Sequence, residues 1–353
     1  MDNLKTRDQK LITSWLLIGT IMVFVQILLG GITRLTGSGL SITRWEIVMG
    51  AIPPLNEVEW NAAFNLYKET PQYKHINRGI ELSEFKFIYF WEFTHRLWAR
   101  TMGFVFIIPF LFFLFRRSLK KVVLWRLGLV ILFASLAAVF GWIMVASGLI
   151  QRPWVNAYKL TIHLILGILL FMTMFFTWIS QKGYARVSEN KNLRNNLFWL
   201  LALVSLQIVF GGFVSGMKSA LFYPTWPLMN GKWIPDVILN RSNWKLGSFL
   251  LYDQSGFMPA LAQFIHRNLA LLIAIITVIF SIKWFRIHGD KWRWITFTLL
   301  GIVVVQVSLG VLTLLGSIGS IPVLSGSMHQ GVGILFITFI FYIYLITKQI
   351  NNT

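Results

Sequence analysis

Residues 87–115, FIYFWEFTHRLWARTMGFVFIIPFLFFLF, decide the fold class. The run exceeds the roughly 18–20 apolar residues that cross a bilayer as a helix. Near its start stands Trp91-Glu92-Phe93-Thr94-His95-Arg96. Glu92 and His95 are three apart, so on a helix they share a face. Ionisable groups at membrane depth are costly and mark a function by default. What His95 binds, and what Glu92 does, are the questions the rest of the chain has to answer.

Working outward, apolar runs predict eight spans, at about 14–33, 87–115, 127–148, 160–180, 197–216, 257–282, 294–316 and 327–347. The chain is 56% hydrophobic with a mean hydropathy of +0.65, well above a soluble domain. The runs are too long for the short alternating strands of an outer-membrane barrel. The expectation is an all-α polytopic membrane protein.

The net charge of +19 does not indicate nucleic acid, because the basic residues sit in short loops between apolar runs. These loops hold Arg116, Arg117, Lys120, Lys121 and Arg126, then Lys182, Arg186, Lys191 and Arg194, then Lys283, Arg286, Lys291 and Arg293. With Lys5, Arg7 and Lys10 they are expected on the cytoplasmic side, placing both termini inside. The longer segments 34–86 and 217–256 then face outward. They carry Glu46, Glu57, Glu59, Glu69, Glu81, Glu84, Asp236 and Asp253. Residues 60–67 read as an amphipathic helix lying on the membrane surface.

There is no cysteine. Disulfides, thiolate metal sites and covalent haem attachment are excluded, so a metal or haem must rely on other side chains. The first ten residues lack the pattern of a cleavable signal, and Asp2 and Asp8 argue against a mitochondrial transit peptide.

The two halves resemble each other. Gln26 with Gly30-Gly31 is matched by Gln207 with Gly211-Gly212, Phe93-Thr94-His95-Arg96 by Phe264-Ile265-His266-Arg267, and His163 by His329. The landmarks keep their order, so a duplicated four-helix unit is expected. Four spans per unit make the copies parallel repeats, two pseudo-symmetric four-helix bundles at residues 1–190 and 191–353.

Of the six histidines, His75 and His288 fall in loops and read as solvated. The other four occupy the second, fourth, sixth and eighth spans, roughly 5–12 Å below the outer boundary. A single intramembrane histidine is usually a packing contact. Four at matched depth, two per repeat, point to bis-histidine haem ligation. Zinc or copper suits two imidazoles with few further ligands less well. Gly30, Gly31, Gly141, Gly211, Gly212 and Gly310 permit close approach of a porphyrin or of another helix. Gln26, Gln207 and Gln306 stand four residues before a glycine, placed for hydrogen bonds near a cofactor or between helices. Arg96, Arg267, Arg100 and Arg152 lie near the outer face, where a guanidinium can pair with a haem propionate or snorkel to the interface. Gln263 stands where the first half has Glu92. That asymmetry suggests chemistry in the first unit, with Glu92 relaying a proton or stabilising a developing cation. The alternative is a structural ion pair with Arg96.

These residues resemble the haem A synthase family, in the group that includes mitochondrial members. The resemblance covers nearly the whole chain. It runs through Thr33-Arg34-Leu35-Thr36-Gly37-Ser38-Gly39-Leu40-Ser41, Pro53-Pro54, the loop at 60–71, Glu92 to Arg96, Trp226 to Gly231, Trp233-Ile234-Pro235, His266-Arg267 and Met328-His329-Gln330. It implies haem O as substrate between His95 and His163, and haem b between His266 and His329. It implies oxidation of the C8 methyl of haem O to a formyl group, through two hydroxylations and loss of water, giving haem A. Glu92 matches the family's functionally important carboxylate. Haem O synthase as supplier, a membrane electron donor, and a terminal oxidase or its assembly factors as acceptor are the implied partners. The absence of a transit-peptide pattern suggests the plasma membrane of a bacterium rather than the mitochondrial inner membrane. A homo-oligomer is also compatible. Some bacterial relatives carry a cysteine pair in the first outer loop, and no redox role for such a pair applies here. Two other readings share parts of the pattern. A diheme cytochrome b-type electron carrier leaves the Glu92/Gln263 difference without a reason, and a proton-coupled transporter predicts colourless protein.

Overall fold

The computed structural model describes residues 2–43, 49–149, 153–187 and 190–347. Glu46 and Arg152 lie outside the described residues. Among the described residues the chain is helical, with one isolated bridge between Met229 and Lys232. It divides into two compact units, Met1–Gly183 and Tyr184–Thr353.

The first unit contains α1 (Asp2–Leu35), α2 (Glu57–Lys68), α3 (Pro71–His75), α4 (Leu82–Phe115), α5 (Lys121–Gly148) and α6 (Ala157–Lys182). The second contains α7 (Lys191–Gly216), α8 (Asp236–Leu239), α9 (Leu246–Leu250), α10 (Phe257–His288), α11 (Arg293–Leu315) and α12 (Val323–Ile346). Among the described residues seven stretches are long and apolar enough to cross a membrane. One of them, Phe257–Leu315, comprises both α10 and α11, joined by a 3-10 turn at Gly289–Trp292.

Local chemistry sets the helix starts. Asn156 caps α6 by accepting from the backbone N–H groups of Tyr158 and Lys159, and Asn190 caps α7 by accepting from Leu193. Glu81 and Glu84 form a reciprocal capping box at the start of α4. That box starts α4 five residues before the apolar run that predicted it, because caps rather than hydropathy end a helix.

In the first unit α1 is central, packing on both α4 and α6, while α6 packs on α5. Indole donors tie α4 to α1: Trp98 Nε1 donates to the Met22 carbonyl at 2.9 Å, and Trp15 Nε1 to the Val105 carbonyl at 3.0 Å. A buried indole N–H has no water to turn to, so these bonds fix helix register as well as proximity. In the second unit α7 packs on α10, α10 on α11, α11 on α12 and α12 back on α7, a closed ring. The first unit lacks the matching closure, since α4 and α5 do not pack along their lengths.

Outside the spans, α2 forms over the stretch expected to be an amphipathic surface helix. Its apolar face is spent on α4 rather than left for lipid. Phe64 and Tyr67 are buried with Phe85 and Ile88, and Trp60 meets Phe85 edge-on. Burial pushes the Tyr67 phenol up to about 12. Its hydroxyl accepts from Asn77 Nδ2 at 2.7 Å and donates to Gln72 Oε1 at 3.2 Å. Gln72 Nε2 in turn donates to the Gly37 carbonyl at 2.8 Å, linking this cap to the turn after α1.

His75 is exposed, at the end of α3. His288 is half-buried. It stacks on buried Trp284 at 4.1 Å between ring centres, because α10 runs on through the position read as a loop.

Phe85→Ala should remove the ring shared by Trp60, Phe64, Tyr67 and Tyr89, costing about 3–5 kcal/mol of local stability. Limited proteolysis should then cut within residues 56–78 much faster, while the membrane helices stay protected.

Candidate haem-ligating and catalytic site

Each of the four intramembrane histidines rests on a glycine of a neighbouring helix. A Cβ added at Gly30 would stand 3.2 Å from His95 Cε1, at Gly141 3.1 Å from His163 Cε1, at Gly211 3.2 Å from His266 Cε1, and at Gly310 2.9 Å from His329 Cε1. An imidazole fits against these helices only because the facing residue has no side chain.

Hydrogen bonds divide the four rings into two kinds. His163 Nδ1 donates to the Ala137 carbonyl at 2.9 Å, and His329 Nδ1 to the Gln306 carbonyl at 3.0 Å. A carbonyl only accepts, so each Nδ1 carries the proton and each Nε2 keeps its lone pair, the arrangement a metal ligand needs. Ala137 and Gln306 are 169 residues apart, as are Gly141 and Gly310.

His95 and His266 are held instead by glutamines. Gln26 Nε2 lies 3.2 Å from His95 Nδ1 and donates to the His95 carbonyl at 3.3 Å. Gln207 Nε2 lies 3.3 Å from His266 Nε2 and donates to the His266 carbonyl at 3.0 Å. The sequence pattern grouped Gln306 with Gln26 and Gln207. Its role differs: its carbonyl serves His329, while its side-chain amide lies against Gly333.

In the second unit the His266 and His329 ring centres are 6.3 Å apart, with ring planes at 77°. That separation leaves room for one metal atom and two bonds of about 2.0 Å. In the first unit His95 and His163 are close enough to interact electrostatically. Among the described residues no group of three or more His, Asp or Glu converges. Two imidazoles per site therefore suit a metal that brings its own equatorial ligands, as a porphyrin does. Gln26 Oε1, Gln207 Oε1 and His266 Nδ1 are buried without partners, as polar atoms bordering a bound group can be. The residues fit haem.

Glu92 is 2% exposed and fully engaged. Its Oε2 accepts from Ser41 N at 2.7 Å, Ser41 Oγ at 2.7 Å and Ile42 N at 2.9 Å. Its Oε1 accepts from Arg96 Nη2 at 2.5 Å. This donor set suits a carboxylate. It ties α4 to the outer loop as well as to Arg96, which also donates to the Ile42 carbonyl at 3.2 Å.

The second unit repeats this tie with the polarity changed. Arg267 Nη2 donates to the Tyr223 carbonyl at 2.8 Å, and Gln263 Nε2 to the same carbonyl at 3.1 Å. Tyr223 follows Ile42 by 181 residues, the offset between Gln26 and Gln207. Arg96 and Arg267 thus both hold loop carbonyls, where sequence suggested propionate contacts. Arg267 Nε remains buried without a partner. Ser41 and the carbonyls of Ile42 and Tyr223 were not anticipated as site residues. Only the glycine-rich turn before Ser41 hinted that the chain bends back there.

The sequence profile of the COX15-CtaA family, described as cytochrome oxidase assembly protein, matches residues 13–341. The chain belongs to that family. Curated relatives named heme A synthase match it over nearly their full length. The protein of Wolbachia pipientis wMel is 36% identical over 350 residues, covering 98% of this chain and 95% of its own. That of Nitrosospira multiformis is 37% identical, covering 94% and 91%, and that of Rickettsia bellii RML369-C is 35% identical, covering 97% and 99%.

Gly310→Val should push His329 away from its ring position. Because such a shift disturbs the ligand's support, haem retention should fall by about 10–100-fold, measured as Soret absorbance per protein after purification.

Proposed function

We propose that this chain works as a haem A synthase, an oxidoreductase that converts haem O to haem A. The observation that carries the reading is a pair of imidazoles in each unit, each ring backed by a glycine, in a chain of this family. The finer assignments rest on the repeat. Eight crossing helices form two pseudo-symmetric four-helix bundles. His95 and His163 hold the substrate haem O, and His266 and His329 hold a resident haem b. The C8 methyl is oxidised to a formyl group by successive hydroxylations. Haem b, when bound, supplies a one-electron centre.

Glu92 is the residue assigned to chemistry, because the equivalent position in the second unit is the neutral Gln263. Its negative charge beside His95 can stabilise a cation developing on the substrate, and it enters that role already oriented by Ser41, Ile42 and Arg96. A preorganised carboxylate needs no reorientation during the reaction. Arg96 and Arg267 remain candidates for propionate contact alongside the loop carbonyls they hold.

The basic short loops support a cytoplasmic side for both termini, in a bacterial plasma membrane. Haem O synthase as supplier, a membrane electron donor, and a terminal oxidase or its assembly factors as recipient complete the expected setting. The diheme carrier is disfavoured, because it gives no use to a carboxylate in one unit alone.

Co-production with a haem O-producing system tests the assignment, with extracted haems separated by chromatography. The protein should yield haem A. Glu92→Gln, which imitates the second unit, should cut haem A by about 10²-fold or more while haem B in the extract is unchanged. Normal haem A from Glu92→Gln would remove Glu92 from the chemistry.

A further inference from the structure

The two bundles differ in closure as well as in charge. In the second, α10 and α11 pack together and complete the ring beside His266 and His329. In the first, α4 and α5 flank the His95/His163 pair without packing on each other. Both borders of this seam belong to the site: α4 carries His95, and α5 supplies Gly141 and the Ala137 carbonyl to His163.

The outer end of the seam is roofed. Ser41 and Ile42 are held on α4 by Glu92 and Arg96, while Leu40 lies against Gly148 at the end of α5. The Glu92/Arg96 face of α4 is therefore the one that looks across to α5. Two turns further into the membrane that face carries Gly103, about 80° round the helix from His95. It stands about 140° round the helix from Trp98, which bonds to α1, and about 60–80° from Phe106 and Phe113, which meet Trp15. A Cβ at Gly103 would meet nothing within 4 Å. The border is apolar, with Ile107 on the same side 39% exposed.

We propose that the seam between α4 and α5 takes the isoprenoid tail of the substrate haem. This rests on the reading of His95 and His163 as the haem O site. A resident haem without a long tail can sit in a closed ring, as in the second bundle. A porphyrin that carries a long hydrocarbon chain and must come and go needs an apolar slot continuous with its iron ligands and open to the side. The roof of residues 38–42 closes the slot toward water, so the tail exchanges with the bilayer core.

The absence of native cysteine makes a single thiol a clean reporter. Gly103→Cys, purified as the full chain with haem b from cells lacking haem O, is labelled with a membrane-permeant maleimide. Added haem O at about ten times its Kd should slow labelling about tenfold. Haem B, which lacks the tail, should protect far less, and Phe104→Cys, on the opposite side of α4 from His95, should be labelled equally with and without haem O. If haem O binds, as its Soret band reports, and Gly103→Cys labels at an unchanged rate, the proposal is wrong. Equal protection by haem O and haem B also overturns it, since the porphyrin rather than the tail then covers the seam. Protection by haem O that persists when His95→Ala is added places haem O elsewhere, and overturns the site reading itself.

Discussion

An imidazole buried in apolar helices has no water to satisfy it, and the organisation of both units answers that constraint. Each ring lies against a glycine, and each is held by a group four residues before that glycine. For His95 and His266 the group is a glutamine amide; for His163 and His329 it is a backbone carbonyl. The carbonyl bond fixes the tautomer and leaves Nε2 as a ligand. Packing and coordination chemistry are thus set by the same short stretch of helix, which explains why glycine, ring and hydrogen-bond partner recur together in both halves.

On this shared frame the two units diverge. The outer loop of the first is held by a carboxylate and a guanidinium, that of the second by an amide and a guanidinium, at corresponding positions. One ring of helices is closed and the other is open between α4 and α5. A cofactor that stays and a substrate that is exchanged place different demands on a bundle, and both differences fall in the sense those demands require. On the proposed function, what the two units share serves to hold haem, and what differs serves the reaction.

Much of this was legible in the sequence. Hydropathy located the long helices, and the order of Gln, Gly and His landmarks exposed the repeat. Gln306 makes contacts between helices, one of the two uses its spacing allowed, but through its backbone carbonyl as well as its side chain. The clamp on Glu92 was hidden, since two of its donors are backbone N–H groups 50 and 51 residues away in sequence. The open seam was hidden for a different reason. Whether consecutive helices pack on each other depends on the fit of their sides, which apolar composition alone does not record. His288 was misread because a basic, polar segment continues α10 as helix.

On the proposed function the two histidine pairs hold different haems. The most direct measurement is chromatography of haems extracted from His95→Ala and His266→Ala, each purified from cells that also make haem O. His95→Ala should retain haem B and carry neither haem O nor haem A, while His266→Ala should lose haem B and retain unconverted haem O. Haem A in the His95→Ala extract, or loss of the same haem from both variants, would contradict that assignment.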